Sequence, residues 1–233
     1  MTFEVLDRDD RLLAVNKPAG LHVHRSEFSP DEPAVVELLA SQTGLKLFPV
    51  HRLDRPTSGV LLFALDHEAA SSLGKAFQEH RVEKVYQALV RGWCQDVVAT
   101  TPVQPDRKVK RWLEAETHFR VLAQYEKPWA RRGFETFRYS LVEARPVTGR
   151  RHQIRQHLED LRHPILGDTV WGDTSLNNWL IPHWRAPGPL GLQLWCVSME
   201  FPHPSTGVSC VIKGPRPHDS PTVETRKPVS ATS

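Results

Sequence analysis

The most constraining feature of this 233-residue sequence is a turn that leads directly into an uninterrupted apolar run. In the turn, Asp54 stands between two arginines, and a proline and a glycine follow it. Residues 60–65 read Val-Leu-Leu-Phe-Ala-Leu and predict a strand buried on both faces. An acidic side chain is therefore expected just before the start of a core strand.

The two flanking guanidinium groups, those of Arg52 and Arg55, favour the ionised form of the Asp54 carboxylate. An ionised carboxylate suits a nucleophile or an electrostatic stabiliser better than a general acid. The alternative interpretation of such a triplet, taken alone, is a solvent-exposed cluster of charges in a loop.

The composition is that of an ordinary soluble globular protein, with 39% hydrophobic and 24% charged residues. No apolar run has the length of a membrane span, and the first residues show no signal-peptide pattern. Three widely spaced cysteines favour neither a disulfide framework nor a zinc site. These features predict a cytoplasmic protein without a membrane association.

The residue patterns predict an α+β fold. Helices are expected at 33–39, ended by Gly44, and at 67–80, capped by Asp66. Residues 174–190, rich in proline and tryptophan, are expected to form an irregular loop. Strands are predicted at 3–5, 12–15, 60–65, 84–91, 116–125, 136–145, 192–201 and 208–213.

A further helix is predicted from residue 151 until Pro164 stops it. At helical spacing, three arginines fall together on the flank of its apolar stripe, and an arginine there needs a partner, for which Asp54 is the natural candidate. The three are Arg151, Arg155 and Arg162.

Five motifs, in order and in spacing, resemble those of the RluA-type pseudouridine synthases, and the resemblance extends from Leu12 to about Val211. They are Asn16-Lys17-Pro18-Ala19-Gly20, His51-Arg52-Leu53-Asp54, Lys84-Val85-Tyr86, the run from Thr148 to Leu158, and His163-Pro164-Ile165-Leu166-Gly167-Asp168.

The resemblance implies isomerisation of uridine to pseudouridine within RNA, without a metal or another cofactor. The target base must be flipped out of its helix to react. The implied fold is a mixed, mostly antiparallel central sheet with flanking helices and a central RNA-binding cleft. Residues 1–213 would form the catalytic domain, and residues 214–233 a disordered tail.

By position, Asp54 resembles the family's catalytic aspartate, and Arg155 resembles the arginine that pairs with it. Tyr86 resembles the active-site tyrosine that stacks on the uracil, although a plain core strand residue is the alternative. Lys17 is expected to be structural or to contact a phosphate. The residues expected to bind substrate RNA are His51, Arg52, Arg150 and Arg151.

A closer resemblance, to the tRNA-modifying branch of the family, rests on His24-Arg25-Ser26, on the run 51–62, and on residues within the two long strands. The chain also begins almost at the first motif, which leaves no room for the N-terminal RNA-binding module common among the ribosomal-RNA enzymes. The expected substrate is a uridine in the acceptor arm of tRNA, at position 65. The alternatives are ribosomal RNA as substrate, or an RNA-binding protein that does not catalyse.

We expect a monomer without an obligate protein partner. The basic segments 107–111 and 127–132 are expected to contact RNA phosphates. One departure from the family pattern is Leu194-Trp195-Cys196, where Leu-His-Ala is usual.

Overall fold

The computed structural model describes residues 1–25, 32–105, 111–183 and 190–215. The described chain divides into two compact units, one formed by Met1–Val85 with Trp195–Pro215 and the other by Tyr86–Leu194. The expectation of one catalytic domain over residues 1–213 stays a prediction. Of the expected disordered tail, residues 216–233 lie outside the described residues.

The described strands and helices confirm the predicted α+β class, since pairing within each unit is antiparallel except between the fourth and ninth strands. The elements are β1 (Glu4–Arg8), β2 (Leu12–Lys17), α1 (Val35–Thr43), β3 (Phe48–Pro49), β4 (Ser58–Ala64), α2 (His67–Gln78), β5 (Glu83–Arg91), β6 (Val97–Ala99), β7 (Thr117–Lys127), β8 (Phe137–Pro146), α3 (Gln153–Asp160), α4 (Thr174–Leu180), a 3-10 turn (Ile181–His183), β9 (Leu194–Pro202) and β10 (Ser209–Lys213).

Strand β4 is the centre of the first unit. It pairs antiparallel with β2, and it runs parallel to β9 where Ser58 lies opposite Trp195. Every residue of the run 60–64 is fully buried, as the apolar pattern predicts. Burial of each large side chain in such a run contributes roughly 1.5–3 kcal/mol, so this strand is a main source of stability in its unit.

The start of β4 requires glycine at position 59. Gly59 has a φ angle of 108°, and a Cβ atom there would lie 2.1 Å from the carbonyl oxygen of Cys196. No side chain fits such a contact between two backbones. Trp195 and Cys196, where the sequence is expected to depart from the family pattern, lie on the strand that pairs with the start of β4.

Gly44 and Asp66 bound the two helices of the first unit as the sequence predicts, although α1 spans Val35–Thr43 and not 33–39. Gly44 ends α1 in the left-handed conformation, and its N–H donates to the carbonyl of Ala40. Asp66 caps α2, because its side chain accepts the N–H of Ala69 at 2.9 Å.

The second unit is built on a four-strand antiparallel arrangement in the order β5-β8-β7-β6. Strands β7 and β8 form a long hairpin in which Thr117 lies opposite Pro146 and Lys127 lies opposite Phe137. Both long strands were predicted, with ends that differ by one or two residues.

The predicted helix at 151 begins two residues later, at Gln153. His152 is in the left-handed conformation with φ 57°, and the Gln153 side chain accepts the N–H of Arg150, so the preceding residues form a turn instead. Arg151 precedes the helix and Arg162 follows it, so the prediction that these two share a helix flank with Arg155 is wrong.

The prediction of an irregular loop over 174–190 is wrong for its first part, which forms α4 and the 3-10 turn. Asp173 caps α4 by accepting the N–H of Leu176 at 2.9 Å. Leu176 and Leu180, one helical turn apart, are both buried. The helix is only seven residues long, so its apolar period was too short to predict it. Residues 184–189 lie outside the described residues.

Of the helices in the described ranges, none has the length and apolar character that crossing a membrane requires.

Candidate active site

Lys17 lies beneath the turn that carries Asp54. It is fully buried, and its ammonium group donates to the carbonyls of Pro18 (2.9 Å), Arg55 (3.1 Å) and Thr57 (2.8 Å). Three charge-assisted hydrogen bonds use the three donors of the group and hold the 16–20 turn against the Asp54 turn. The expectation that Lys17 is structural is confirmed.

The electrostatic link between Lys17 and Asp54 was not predicted. Burial lowers the pKa of Lys17 to about 7, and the negative charge of Asp54 opposes that shift. In its protonated form, Lys17 supplies positive charge to the carboxylate from inside the protein, where water screens it less than at the surface.

The two arginines that flank Asp54 differ in their contacts and exposure. The Arg55 guanidinium donates to the Gly20 carbonyl at 3.0 Å and pairs with Glu32 at 2.8 Å. Arg55 therefore links the Asp54 turn to Gly20 and to Glu32. Arg52 is exposed.

His51 fixes the turn to strand β4. The Leu62 N–H donates to its Nε2 at 2.9 Å, and its ring stacks on Phe77 with a centroid distance of 5.3 Å. Burial, followed by the nearby charge of Lys84, lowers the pKa of His51 to about 3. The imidazole is consequently neutral, and only its other edge is left for the predicted RNA contact.

In the second unit, Arg155 is buried on α3 and forms a bidentate ion pair with Asp168. Nε donates to Oδ2 at 2.7 Å, and Nη2 donates to Oδ1 at 2.8 Å. The same Oδ1 accepts the N–H groups of Val170 and Trp171. The Arg155 guanidinium favours the charged carboxylate and lowers the pKa of Asp168 against the opposing effect of burial. The plane of the Arg155 guanidinium is therefore fixed. The predicted pairing of Arg155 with Asp54 stays a prediction.

Helix α3 is itself fixed by polar side chains on its buried face. Gln153 donates to the Glu116 carbonyl (2.9 Å) and to the Thr117 hydroxyl (3.0 Å). His157 Nδ1 lies 2.9 Å from that hydroxyl, and its Nε2 lies 2.9 Å from the Thr101 carbonyl. Since Nε2 must donate to a carbonyl, Nδ1 accepts, and burial lowers the pKa of His157 in keeping with a neutral ring.

The remaining predicted residues of the second unit lie at its surface or in β5. Tyr86 is 9% exposed and lies opposite Ala144 on β8. Arg150 and Arg151 are exposed, and Arg150 donates to the Glu114 carbonyl at 3.1 Å.

The first unit thus carries Asp54, Arg52 and His51 on a single braced turn. The second carries the other predicted site residues, namely Tyr86, Arg150, Arg151 and Arg155. The sequence did not predict the ion pair that Asp168 forms with Arg155, although Asp168 is the last residue of the motif that begins at His163. Among the residues that the structure describes, no group of three or more histidine, cysteine, aspartate or glutamate side chains is arranged to hold a metal ion.

Comparison with known proteins adds to this geometry. The pattern of the RNA pseudouridylate synthase family matches residues 11–160. A protein from Vibrio cholerae named tRNA pseudouridine synthase C is 43% identical over 221 residues, which cover 90% of this chain and 89% of that protein. Proteins of the same name from Pasteurella multocida and Salmonella typhi are 43% and 42% identical, and the matches cover 88% and 84% of their lengths.

Solved structures share the fold. Human RNA Pseudouridylate Synthase Domain Containing 1 matches with a TM-score of 0.73 at 24% identity and covers 93% of this chain and 84% of its own. Human RNA Pseudouridylate Synthase Domain Containing 4 matches with a TM-score of 0.66 at 23% identity, covering 90% of this chain and 87% of its own. Because the family pattern spans more than half of the sequence and close relatives match nearly all of it, this chain belongs to the RluA-type RNA pseudouridylate synthase family.

Proposed function

We propose that this protein converts a uridine of tRNA into pseudouridine, in the acceptor arm at position 65, and that it does so in the cytosol as a monomer. The observation that carries the proposal is the similarity to proteins named tRNA pseudouridine synthase C. The identity of 43% extends over about nine-tenths of both chains, so the substrate-contacting surface is compared together with the core.

In this proposal, the Asp54 carboxylate acts on the target nucleotide after the base has left its helix. The bond between the ribose and N1 of uracil breaks, the base rotates, and a bond forms from the ribose to C5. C5 then loses its proton and N1 gains one, so the product is an isomer of uridine. Attack on the sugar or the base, or removal of a sugar proton, requires an ionised carboxylate in each case. The buried ammonium of Lys17 supports this assignment.

Tyr86 and Arg155 complete the proposed catalytic set. The Tyr86 ring stacks on the uracil, and the Arg155 guanidinium balances the charge of the reacting carboxylate. The bidentate grip of Asp168 supports the second assignment, because a guanidinium held in one plane loses little entropy when it engages another anion.

The remaining predicted residues bind the RNA. Arg52 enters the space that the flipped base leaves, while Arg150 and Arg151 contact phosphates, which suits their exposure. His51 contributes the ring edge that Leu62 leaves unused. No metal or other cofactor is required, so pseudouridine formation should survive a chelator.

The test measures tritium release from tRNA transcripts labelled at uridine C5. The wild-type protein should release tritium at the rate at which pseudouridine forms, and Asp54→Asn should release none. Asp10→Asn, which changes an exposed aspartate of the first unit in the same way, is the matched control and should retain full activity. Equal release by wild type and Asp54→Asn would remove Asp54 from the chemistry.

The substrate is tested separately, by mapping pseudouridine in all tRNA and ribosomal RNA of a strain that lacks the gene. We expect one missing tRNA site, at position 65. Loss of a ribosomal site with unchanged tRNA would leave the chemistry in place and reassign the substrate.

A further inference from the structure

The β7–β8 hairpin ends in a tight turn formed by Arg131, Arg132, Gly133 and Phe134. The N–H of Arg131 donates to the Phe134 carbonyl at 2.8 Å, and the N–H of Phe134 donates back at 3.0 Å. Arg132 and Gly133 both have positive φ angles, 48° and 85°. This is the two-residue hairpin turn that matches the strand twist and that normally carries asparagine or glycine at its first central position.

Arginine is an unusual residue at that position. A side chain with a Cβ is disfavoured in the left-handed region, and residues held there tend to occur at functional sites. Arg132 is exposed, so core packing does not account for its presence. We therefore looked for an explanation in the contacts of its guanidinium group.

The guanidinium groups of Arg131 and Arg132 converge on one hydroxyl. Nη2 of Arg131 lies 3.1 Å from the Ser175 oxygen, and Nη2 of Arg132 lies 2.8 Å from the same oxygen. In the part of the chain that the structure describes, neither guanidinium has a carboxylate within ion-pair distance. Two like charges held this close repel each other, and an anion between them would relieve the repulsion.

Aromatic rings support the pair. The Arg131 guanidinium lies over the Trp179 ring, 5.6 Å from its centroid. Trp179 packs edge-on against Phe137, which in turn stacks on Trp129. The pair therefore rests on a packed surface. Next to it, Phe134 is 75% exposed and free to contact a sugar or a base.

We propose that Arg131 and Arg132 form a phosphate-binding fork, with Ser175 between them, which grips a backbone phosphate of the RNA substrate. The ligand assignment rests on the proposed function, since a phosphodiester is the anion that such a substrate presents in quantity. Arginine is suited to it because the planar guanidinium donates two parallel hydrogen bonds to a phosphate.

The fork is tested by the salt dependence of tRNA binding. Each phosphate contact contributes about 0.7–0.9 to the slope of log affinity against log salt concentration. Arg132→Asn removes one guanidinium and places in the turn a residue that tolerates a positive φ, so the fold is retained. We expect its affinity for a tRNA transcript to fall roughly 3- to 10-fold at about 0.1 M salt and the slope to fall by about 1. Arg131→Ala combined with Arg132→Asn should lower the slope by no more than about 1 in total, because both guanidinium groups bind the same phosphate.

The matched control is Arg120→Gln, which removes an exposed arginine of the same hairpin whose charge is already paired with Glu143 at 3.3 Å. It should leave the slope unchanged. An unchanged slope for Arg132→Asn, or an equal decrease for Arg120→Gln, would overturn the fork. If the wild-type protein forms no pseudouridine in tRNA, the proposed function fails, but the difference in slope on the same transcript still decides whether the fork binds phosphate.

Discussion

Lys17 shows how a single buried side chain can organise the turn that carries Asp54. A lysine is almost never fully buried without partners, and this one has three backbone carbonyls around its ammonium group. Two of those carbonyls belong to residues 55 and 57, just beyond Asp54. The position of the carboxylate is therefore tied to a residue nearly forty positions earlier in the sequence.

Replacement of Lys17 by methionine should destabilise the protein strongly. Methionine fills a similar volume but removes the lysine donor from the carbonyls of Pro18 and Thr57, whereas the Arg55 carbonyl still accepts the Gly20 N–H. At about 1–3 kcal/mol for each unsatisfied group, we expect a loss of at least about 2 kcal/mol in the free energy of unfolding, measured by urea denaturation. Lys75→Met on the exposed side of α2 is the control and should change stability by less than about 0.5 kcal/mol. A loss below about 1 kcal/mol for Lys17→Met would contradict the bracing role.

His51 should make the protein sensitive to acid. Its pKa is about 3 in the folded state, below the 6.5 of the free side chain, so the unfolded state binds the proton more readily. Stability contributed by His51 is complete above pH 6.5 and is lost as the pH falls towards 3, with a slope of up to about 1.4 kcal/mol per pH unit. His51→Gln keeps an acceptor for the Leu62 N–H and does not titrate. We expect its unfolding free energy to depend less on pH between 6 and 4 than that of the wild type, and parallel curves would refute this account.

At the scale of elements, α3 is positioned by hydrogen bonds as well as by the apolar packing of Ile154 and Leu158. Gln153 and His157 bind the start of β7 and the loop at residue 101, and Arg155 binds Asp168 on the turn that follows. Such a polar network specifies one orientation, because a shift by one residue would leave several buried groups without partners.

The ion pair between Arg155 and Asp168 can be tested by removing one charge and then both. Asp168→Asn should cost about 3–5 kcal/mol, because a buried guanidinium loses its counter-charge. The asparagine oxygen can still accept the N–H groups of Val170 and Trp171. Adding Arg155→Met removes the remaining buried charge of the pair, so the double variant should regain much of the stability in a urea titration and yet form no pseudouridine. Activity in the stable double variant would show that Arg155 has no part in the reaction.

Alanine substitutions at two glycines, one at the close approach of β4 and β9 and one in α2, should have opposite effects on stability. Gly59→Ala should destabilise by more than about 2 kcal/mol, because its Cβ meets the backbone of Cys196 and its φ is positive. Gly74→Ala, inside α2 with nothing within 4 Å of the new Cβ, should stabilise by up to about 1 kcal/mol. Thermal unfolding of both variants gives the comparison, and a similar effect of the two changes would argue against the contact.

At the scale of the whole molecule, the sequence predicted the elements whose formation depends on a single local pattern of residues. The apolar run of β4, the cap and period of α2, and the two long strands all follow from residues close together in the chain. The start of α3 did not, because it depends on the bonds that Gln153 makes to Glu116 and Thr117, more than thirty residues earlier. The motifs pointed to Asp54 and Arg155, but the ion pair with Asp168 could not be read from spacing, since it spans a turn whose path the sequence does not specify.

The contact between Gly59 and Cys196 restricts substitution at position 59 but not at position 196. Gly59 meets the backbone of Cys196, and that backbone is the same whatever side chain position 196 carries. A different side chain at position 196 therefore leaves this contact as it is, while any side chain at position 59 would require a displaced strand. Substitutions at position 196 can thus accumulate without disturbing the neighbouring turn that carries Asp54.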